Sequence, residues 1–174
     1  MYLKNISLIG FMGSGKSTTG KIIAEKLNYL FIDIDKMIES VYALSINEIF
    51  KKYGESHFRI TESNIINKSY YNKSCVFACG GGAFNKEENI KIIRQNSFVV
   101  YLAMTEEEAY ERLKDNSADR PLLLAKGDLI QKIREIMGQR LSIYTNNCDL
   151  KIDTGIKSPM EISREVIAYL EMQH

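Results

Sequence analysis

The sequence predicts a parallel α/β fold, and three observations lead to this prediction. Short apolar runs typical of buried strands recur along the chain, and segments with a helical spacing of apolar residues separate them. A glycine-rich loop joins the first run to the first helical segment. Strands that alternate with helices favour parallel pairing, because each return to the same sheet edge needs a crossover connection. The predicted strands are residues 5–9, 29–32, 75–79, 98–102 and 150–152.

The helix predictions rest on spacing and on end signals. Ser45 and Glu48 form a capping box, Thr105 precedes an acidic first turn, and Pro159 is suited to the first turn of a terminal helix. Residues 115–127 lack a clear period, so we expect a mobile surface segment there. The predicted helices are residues 16–27, a segment from 36, 46–52, about 54–70, 87–94, 105–114, 129–144 and a segment from 159.

Length and composition indicate one globular domain over residues 1–174. The net charge of +1 provides no global basic field for nucleic acid or an anionic membrane. No run approaches the roughly 18 apolar residues of a membrane span. The three cysteines, Cys75, Cys79 and Cys148, follow no zinc spacing, which favours thiols in a reducing cytoplasm. We therefore expect a cytoplasmic protein without nucleic acid or membrane partners.

The glycine-rich loop matches a phosphate-binding pattern. Residues 10–17 satisfy G-x-x-x-x-G-K-[ST] between a predicted strand and a predicted helix, which is the context the motif requires. The backbone amides of such a loop bind phosphate oxygens, Lys16 reaches the β- and γ-phosphates, and the Ser17 hydroxyl is a ligand for Mg²⁺. The motif predicts ATP and Mg²⁺ but leaves the phosphoryl acceptor open, since GTPases, motor ATPases and several kinase classes share it.

Two aspartates follow the second predicted strand. If residues 31–35 are extended, Asp33 and Asp35 point to the same side, at the edge where α/β sheets bind ligands. One carboxylate can then hold the metal's water shell while the other accepts the proton of an acceptor hydroxyl. The alternative is that Asp35 is only a helix N-cap.

Further on, Arg59 and Glu62 stand three residues apart, so on a helix the carboxylate can orient the guanidinium. Gly80, Gly81 and Gly82 follow a predicted buried strand, where they can expose backbone amides to a ligand or simply form a tight turn.

These motifs, in this order and spacing, resemble the shikimate kinase family. The resemblance extends through Arg120-Pro121-Leu122, similar to the family's lid arginine motif, and through residues 137–140 with Tyr144 four residues on, so that it covers nearly the whole chain. It implies a five-stranded parallel sheet with helices on both faces, similar to nucleoside monophosphate kinases, and a mobile lid at about residues 115–127. It further implies transfer of the γ-phosphoryl group of ATP to the 3-hydroxyl of shikimate in aromatic amino acid (chorismate) biosynthesis, by a monomer.

The resemblance also implies roles for individual residues. Lys16, Asp35 and Arg120 would be catalytic, and Ser17 and Asp33 would lie at the metal. The shikimate site would comprise Asp35, Arg59, Gly80, Gly81, Gly82 and Arg140. The nucleotide site would comprise Gly13, Ser14, Gly15, Lys16, Ser17, Thr18, Arg112 near the adenine, Arg120, and Lys157 at a place where the family often has a basic residue.

Two other functions remain open from the residues. A kinase for gluconate or a nucleoside monophosphate would share the phosphate loop and the lid. A nucleotide switch without catalysis would also need the loop, but the chain has no D-x-x-G motif after residues 76–79.

The lid prediction can be tested with Arg120→Ala. Lid closure would bring this positive charge to the transferring phosphoryl group and would exclude water. We expect kcat to fall by roughly 10³-fold while shikimate binding hardly changes. Hydrogen exchange across residues 115–127 should slow when both ligands bind. Equal exchange with and without ligands, together with an active variant, would eliminate the lid.

Overall fold

A computed structural model describes residues 4–115, 121–123 and 128–173 of the chain. Its centre is a five-stranded sheet in which every neighbouring pair is parallel, in the order β2-β3-β1-β4-β5. The predicted fold class is therefore confirmed, and each predicted strand is present with ends that shift by one residue at most. The strands are β1 Asn5–Ile9, β2 Leu30–Asp33, β3 Cys75–Ala78, β4 Ser97–Ala103 and β5 Leu150–Asp153.

Helices connect each strand to the next, as parallel pairing requires, and one more helix follows the last strand. Three of them begin at complete capping boxes, formed by Ser45 with Glu48, Thr105 with Glu108, and Ser158 with Glu161. The helices are α1 Lys16–Leu27, α2 Ile34–Tyr42, α3 Ile46–Ser69, α4 Glu87–Asn96, α5 Glu106–Leu113, α6 Leu129–Asn146 and α7 Pro159–Met172, with short 3-10 turns at Ala83–Asn85 and Pro121–Leu123.

Apolar side chains cover the sheet on both faces. Alternate residues point to opposite sides, so Phe77 and Tyr101 enter a cluster with residues of α2, α3, α4 and α6, whereas Val76 and Leu102 enter a second cluster with α1 and α7. The predicted helices on both faces are confirmed. A third cluster, between α5 and α6, includes the buried Leu123 from the described part of the predicted lid.

Helix α3 bends at Gly54, where the backbone adopts φ 81° and ψ 165°. The sequence predicts two helices here, and the structure places their boundary at this non-helical residue. The bend brings the rings of Phe50 and Phe58 to 4.9 Å from each other, although eight residues of straight helix would separate them by about 12 Å along the axis. The two arms of α3 thus form one apolar wall.

Two predictions made from composition, the absence of a membrane span and the presence of free cysteine thiols, can be compared with the described residues. None of their helices combines the length and the hydropathy of a membrane span. Cys75, Cys79 and Cys148 are all free thiols, and the first two are buried. Burial raises the pKa of the Cys79 thiol to about 12, so it is packed as an apolar side chain.

The bend at Gly54 can be tested by Gly54→Ala. Its combination of φ and ψ is essentially restricted to glycine, so the free energy of unfolding should fall by about 1–3 kcal/mol even though no atom lies within 4 Å of an added Cβ. The measurement is urea denaturation followed by circular dichroism. The control is Gly138→Ala, in the exposed middle of α6 with equal space, where we expect about 0.5–1 kcal/mol of stabilisation. Stabilisation by both variants would contradict the strain.

Candidate active site

The phosphate loop joins β1 to α1, and its backbone lies at the N-terminus of this helix. Gly15 is the N-cap of α1, in the left-handed conformation with φ 85°, and no side chain caps this helix. The first amides of an α-helix have no intrahelical acceptor, and they attract anions together with the helix dipole. The first turn of α1 is therefore suited to bind a phosphate group, and the phosphate contacts that the motif predicts there stay a prediction.

Lys16 folds back over the loop from which it comes. Its Nζ donates to the carbonyl oxygens of Gly10 at 3.0 Å and Phe11 at 2.8 Å. The ammonium group is thus held at the mouth of the loop, within a side-chain rotation of any phosphate that the loop binds.

Asp33 and Asp35 line one cavity, but they do so from different elements. Strand β2 ends at Asp33, which is the N-cap of α2 and accepts a hydrogen bond from the Lys36 amide at 3.2 Å. Asp35 lies in the first turn of α2, so the expectation of an extended segment through residue 35 is wrong. The helix starts early because the Asp33 side chain caps it. The predicted convergence of the two carboxylates on one site nevertheless holds, since both line the cavity.

The second oxygen of Asp33 connects α2 to the phosphate loop. Ser17 Oγ donates to Asp33 Oδ2 at 2.6 Å. Hydroxyl and carboxylate oxygens are the ligands that Mg²⁺ takes from proteins, usually one or two beside phosphates and water. The pair therefore fits the predicted metal site. Among the described residues, no group of three or more acidic, histidine or cysteine side chains could hold a metal by itself.

The cavity has a volume of about 450 Å³ and lies beyond the carboxyl ends of β1, β2 and β3. This is the edge at which parallel α/β sheets bind ligands. Its lining combines the predicted Ser17, Asp33, Asp35, Arg59, Gly80, Gly81, Gly82 and Arg140 with Met12, Lys36, Glu39, Ser45, Ile46, Asn47, Phe50, Phe58, Glu62 and Leu122.

The glycine triplet is the floor of this cavity, and charged side chains lie directly against it. A Cβ atom on Gly80 would stand 2.5 Å from Glu62 Oε1 and 2.7 Å from Asp35 Oδ1. On Gly82, a Cβ would stand 2.5 to 2.7 Å from three atoms of the Arg59 guanidinium. None of the three glycines has a positive φ. They are therefore required for close approach rather than for an unusual backbone conformation.

Glu62 and Arg59 form a buried ion pair on α3. Arg59 Nη1 lies 2.8 Å from Glu62 Oε2, and Glu62 is only 1% exposed. Burial raises the pKa of Glu62, although the Arg59 charge acts in the opposite direction. Burial alone would lower the pKa of Arg59, but Glu62 and Glu55 outweigh this effect, so the net shift is upward. The predicted orientation of Arg59 by Glu62 is present in the structure.

Arg140 reaches the triplet from α6. It is 6% exposed, and its Nη1 has no hydrogen-bond acceptor among the described residues. This nitrogen lies 3.1 Å from where a Cβ on Gly81 would be. A buried donor without a partner is costly, and at this position it is placed to bond an acceptor that enters the cavity.

The comparison with known proteins agrees with this geometry. The model of the shikimate kinase family matches residues 12–171. A shikimate kinase of Thermodesulfovibrio yellowstonii is 38% identical over 97% of this chain and 96% of its own length, and one of a Sulfurihydrogenibium species is 39% identical over 97% and 99%. The chain belongs to the shikimate kinase family. A solved structure of shikimate kinase from Acinetobacter baumannii in complex with shikimate superposes with a TM-score of 0.94, at 32% identity, over 98% of this chain and 94% of that one.

All of the predicted nucleotide contacts stay predictions, including those of Arg112, Lys157 and Arg120, which lie away from the phosphate loop in the sequence. The Arg112 guanidinium bonds the carbonyl oxygens of Gly13 at 3.2 Å and Gly155 at 2.8 Å, so it joins the phosphate loop to the loop after β5. Lys157 Nζ lies 2.7 Å from a carboxylate oxygen of Glu165. Arg120 lies outside the described residues.

The apolar wall of the cavity was missed by the sequence prediction. Ile46 and Phe50 are one turn apart on the first arm of α3, and Phe58 begins the opposite side after the bend. The sequence did contain one indication of this wall, because Ile46 and Phe50 are four residues apart on a predicted helix. That spacing indicates an apolar face, but it does not show what the face contacts.

The buried ion pair can be tested by Glu62→Gln. This change leaves the Arg59 charge inside the protein without its nearest counter-charge, so the free energy of unfolding should fall by roughly 3 kcal/mol. The control is Glu106→Gln, which breaks an exposed pair with Arg134 and should cost under about 1 kcal/mol. Both are measured by urea denaturation. Equal small losses would show that Glu62 contributes no more than a surface charge.

Proposed function

We propose that this chain transfers the γ-phosphoryl group of ATP to the 3-hydroxyl of shikimate, giving shikimate 3-phosphate and ADP, with Mg²⁺ at the nucleotide. The observation that carries the proposal is the convergence of Arg59, Arg140 and the glycine triplet in the cavity beside the phosphate loop. Membership of the shikimate kinase family supports the same acceptor. We further propose a cytoplasmic monomer that acts in aromatic amino acid biosynthesis.

The carboxylate of shikimate would bind at the two arginines. A guanidinium is planar and offers parallel N–H donors that match the two oxygens of a carboxylate. Arg140 Nη1 lacks an acceptor among the described residues, and the Arg59 guanidinium lies against Gly82. A bound carboxylate would satisfy the first group and would give the second a further hydrogen-bond acceptor beside Glu62 and Glu55.

The ring would then lie with its hydroxyls toward Asp35. The carboxylate of Asp35 is beside Gly80, at the same end of the triplet as Glu62. From there it can accept the proton of the 3-hydroxyl while the oxygen attacks the γ-phosphorus. Phe50 and Phe58 supply an apolar surface for the ring, with centroids 4.9 Å apart.

On the donor side, the amides at the start of α1 would bind the β- and γ-phosphates. Lys16 would exchange its bonds to the carbonyl oxygens of Gly10 and Phe11 for bonds to these phosphates. Ser17 and Asp33, joined at 2.6 Å, would hold Mg²⁺ directly or through water. The ion would neutralise charge that develops on the phosphate oxygens.

The test of this function is an assay of ADP release with shikimate, gluconate and nucleoside monophosphates as separate acceptors. We expect turnover with shikimate in the usual range of about 1–10³ s⁻¹ and little above background with the others. Turnover with gluconate and none with shikimate would overturn the proposal in favour of another metabolite kinase.

The role of Asp35 is tested by Asp35→Asn. The amide keeps the shape of the side chain but cannot accept the hydroxyl proton, so kcat should fall by about 10²-fold or more. The affinity for ATP, measured by calorimetry without shikimate, should not change. Asp153→Asn, an exposed aspartate paired with Lys151 at the sheet edge, is the control. If Asp35→Asn is kinetically silent, the residue serves only the start of α2.

A further inference from the structure

All three carbonyl groups of the glycine triplet have partners within the protein. The Gly80 oxygen accepts a hydrogen bond from the Ala83 amide at 3.0 Å, and the Gly82 oxygen accepts one from the Asn85 amide at 3.0 Å. These two bonds belong to the local turn after β3. The Gly81 oxygen is different, because it accepts a hydrogen bond from the Tyr144 hydroxyl, which comes from α6.

The bond to Gly81 fixes the direction of the next amide. A trans peptide is planar, so the carbonyl of Gly81 and the N–H of Gly82 point in opposite directions. Tyr144 is 3% exposed and lies in the core, whereas Gly81 and Gly82 line the cavity. The N–H of Gly82 therefore points away from the core. No described residue accepts a hydrogen bond from it.

Tyr144 also lies on the same face of α6 as Arg140, one turn later. The Tyr144 hydroxyl donates a hydrogen bond to the Gly81 carbonyl. The Arg140 Nη1 also lies beside Gly81, 3.1 Å from where a Cβ on this glycine would be. The Tyr144 ring packs against Tyr101 of β4, with ring centroids 5.2 Å apart, and against Phe84, with ring centroids 6.4 Å apart. One side chain thus holds together α6, the triplet and the sheet.

The Tyr144 hydroxyl remains a donor at every pH at which the enzyme would work. Burial raises the pKa of Tyr144 to about 12, although the Arg140 charge acts in the opposite direction. Loss of the proton therefore does not compete with the bond to Gly81.

We propose that Tyr144 is a positioning residue for the acceptor carboxylate: its bond to the Gly81 carbonyl holds the Gly82 amide toward the point where Arg59 and Arg140 meet. This inference rests on the proposed function, in which a carboxylate binds at that point. Without the hydroxyl, the peptide between residues 81 and 82 can rotate, and the amide no longer faces the substrate. Tyr144 itself contacts no substrate in this scheme.

The test is Tyr144→Phe, with Tyr101→Phe as the matched control. The control also removes a hydroxyl from a buried ring of the same aromatic cluster, but this ring does not bond the triplet. We expect the KM for shikimate to rise about tenfold in Tyr144→Phe, the loss corresponding to one hydrogen bond. The kcat and the KM for ATP should stay within about twofold of the wild type. Tyr101→Phe should leave all three constants unchanged.

Replacement of Tyr144 by 4-aminophenylalanine, which keeps a donor at the same place, should restore much of the affinity for shikimate. An unchanged KM for shikimate in Tyr144→Phe would overturn the proposal. So would equal increases in KM in Tyr144→Phe and Tyr101→Phe, because packing alone would then explain both. A wild-type protein inactive with shikimate but active with another acceptor would instead reject the proposed function.

A measurement on the wild-type protein covers the case in which Tyr144→Phe does not fold. With ¹⁵N-labelled glycine, the Gly82 amide proton should shift downfield when shikimate saturates the protein, because it gains a charged acceptor. The Gly138 resonance, on the exposed side of α6, provides the reference. An unmoved Gly82 amide would contradict the proposed orientation.

Discussion

The absence of side chains at Gly80, Gly81 and Gly82 is the constraint on which the rest of the site depends. Strand β3 lies between β2 and β1, so its carboxyl end faces the helices that follow both neighbours. A Cβ at either end of the triplet would stand about 2.5 Å from a charged atom, closer than atoms in contact approach. With bare backbone, Glu62, Arg59 and Arg140 can lie at this point together, whereas added Cβ atoms would force their side chains to shift. The arginines then offer their charge at the cavity floor and not at the surface.

The guanidinium groups of the partly buried Arg59 and the buried Arg140 need compensation, and the structure provides it unequally. Arg59 has Glu62 at 2.8 Å and Glu55 at 3.1 Å, so its charge is balanced in the absence of ligand. Arg140 keeps a buried donor without an acceptor among the described residues. Desolvation of such a group costs free energy that a ligand can recover. In the proposed function, this asymmetry would let a preformed site bind a carboxylate, since a fully compensated pair of arginines would gain little from it.

The order of strands brings the donor and acceptor halves of the cavity together. Because β1 and β3 are neighbours, the phosphate loop and the triplet leave adjacent strands, and the Gly10 carbonyl oxygen lies 3.8 Å from where a Cβ on Gly81 would be. The Ser17 bond to Asp33 joins the loop to α2, and the bend at Gly54 turns the second arm of α3 toward the same point. Reacting groups held this way need little further ordering, which is the main protein contribution to phosphoryl transfer.

Features that depend on near neighbours in the chain could be predicted from the sequence. The strand and helix order follows from apolar spacing, the phosphate loop from its motif, and the capping boxes from pairs such as Ser45 and Glu48, because each signal lies within a few residues. Contacts between distant residues depend on the tertiary structure. Arg59 from α3 and Arg140 from α6 reach the same glycine triplet, and Tyr144 bonds Gly81 from 63 residues away. Such contacts follow from how α3 and α6 pack on the sheet, and local patterns carry no information about that packing.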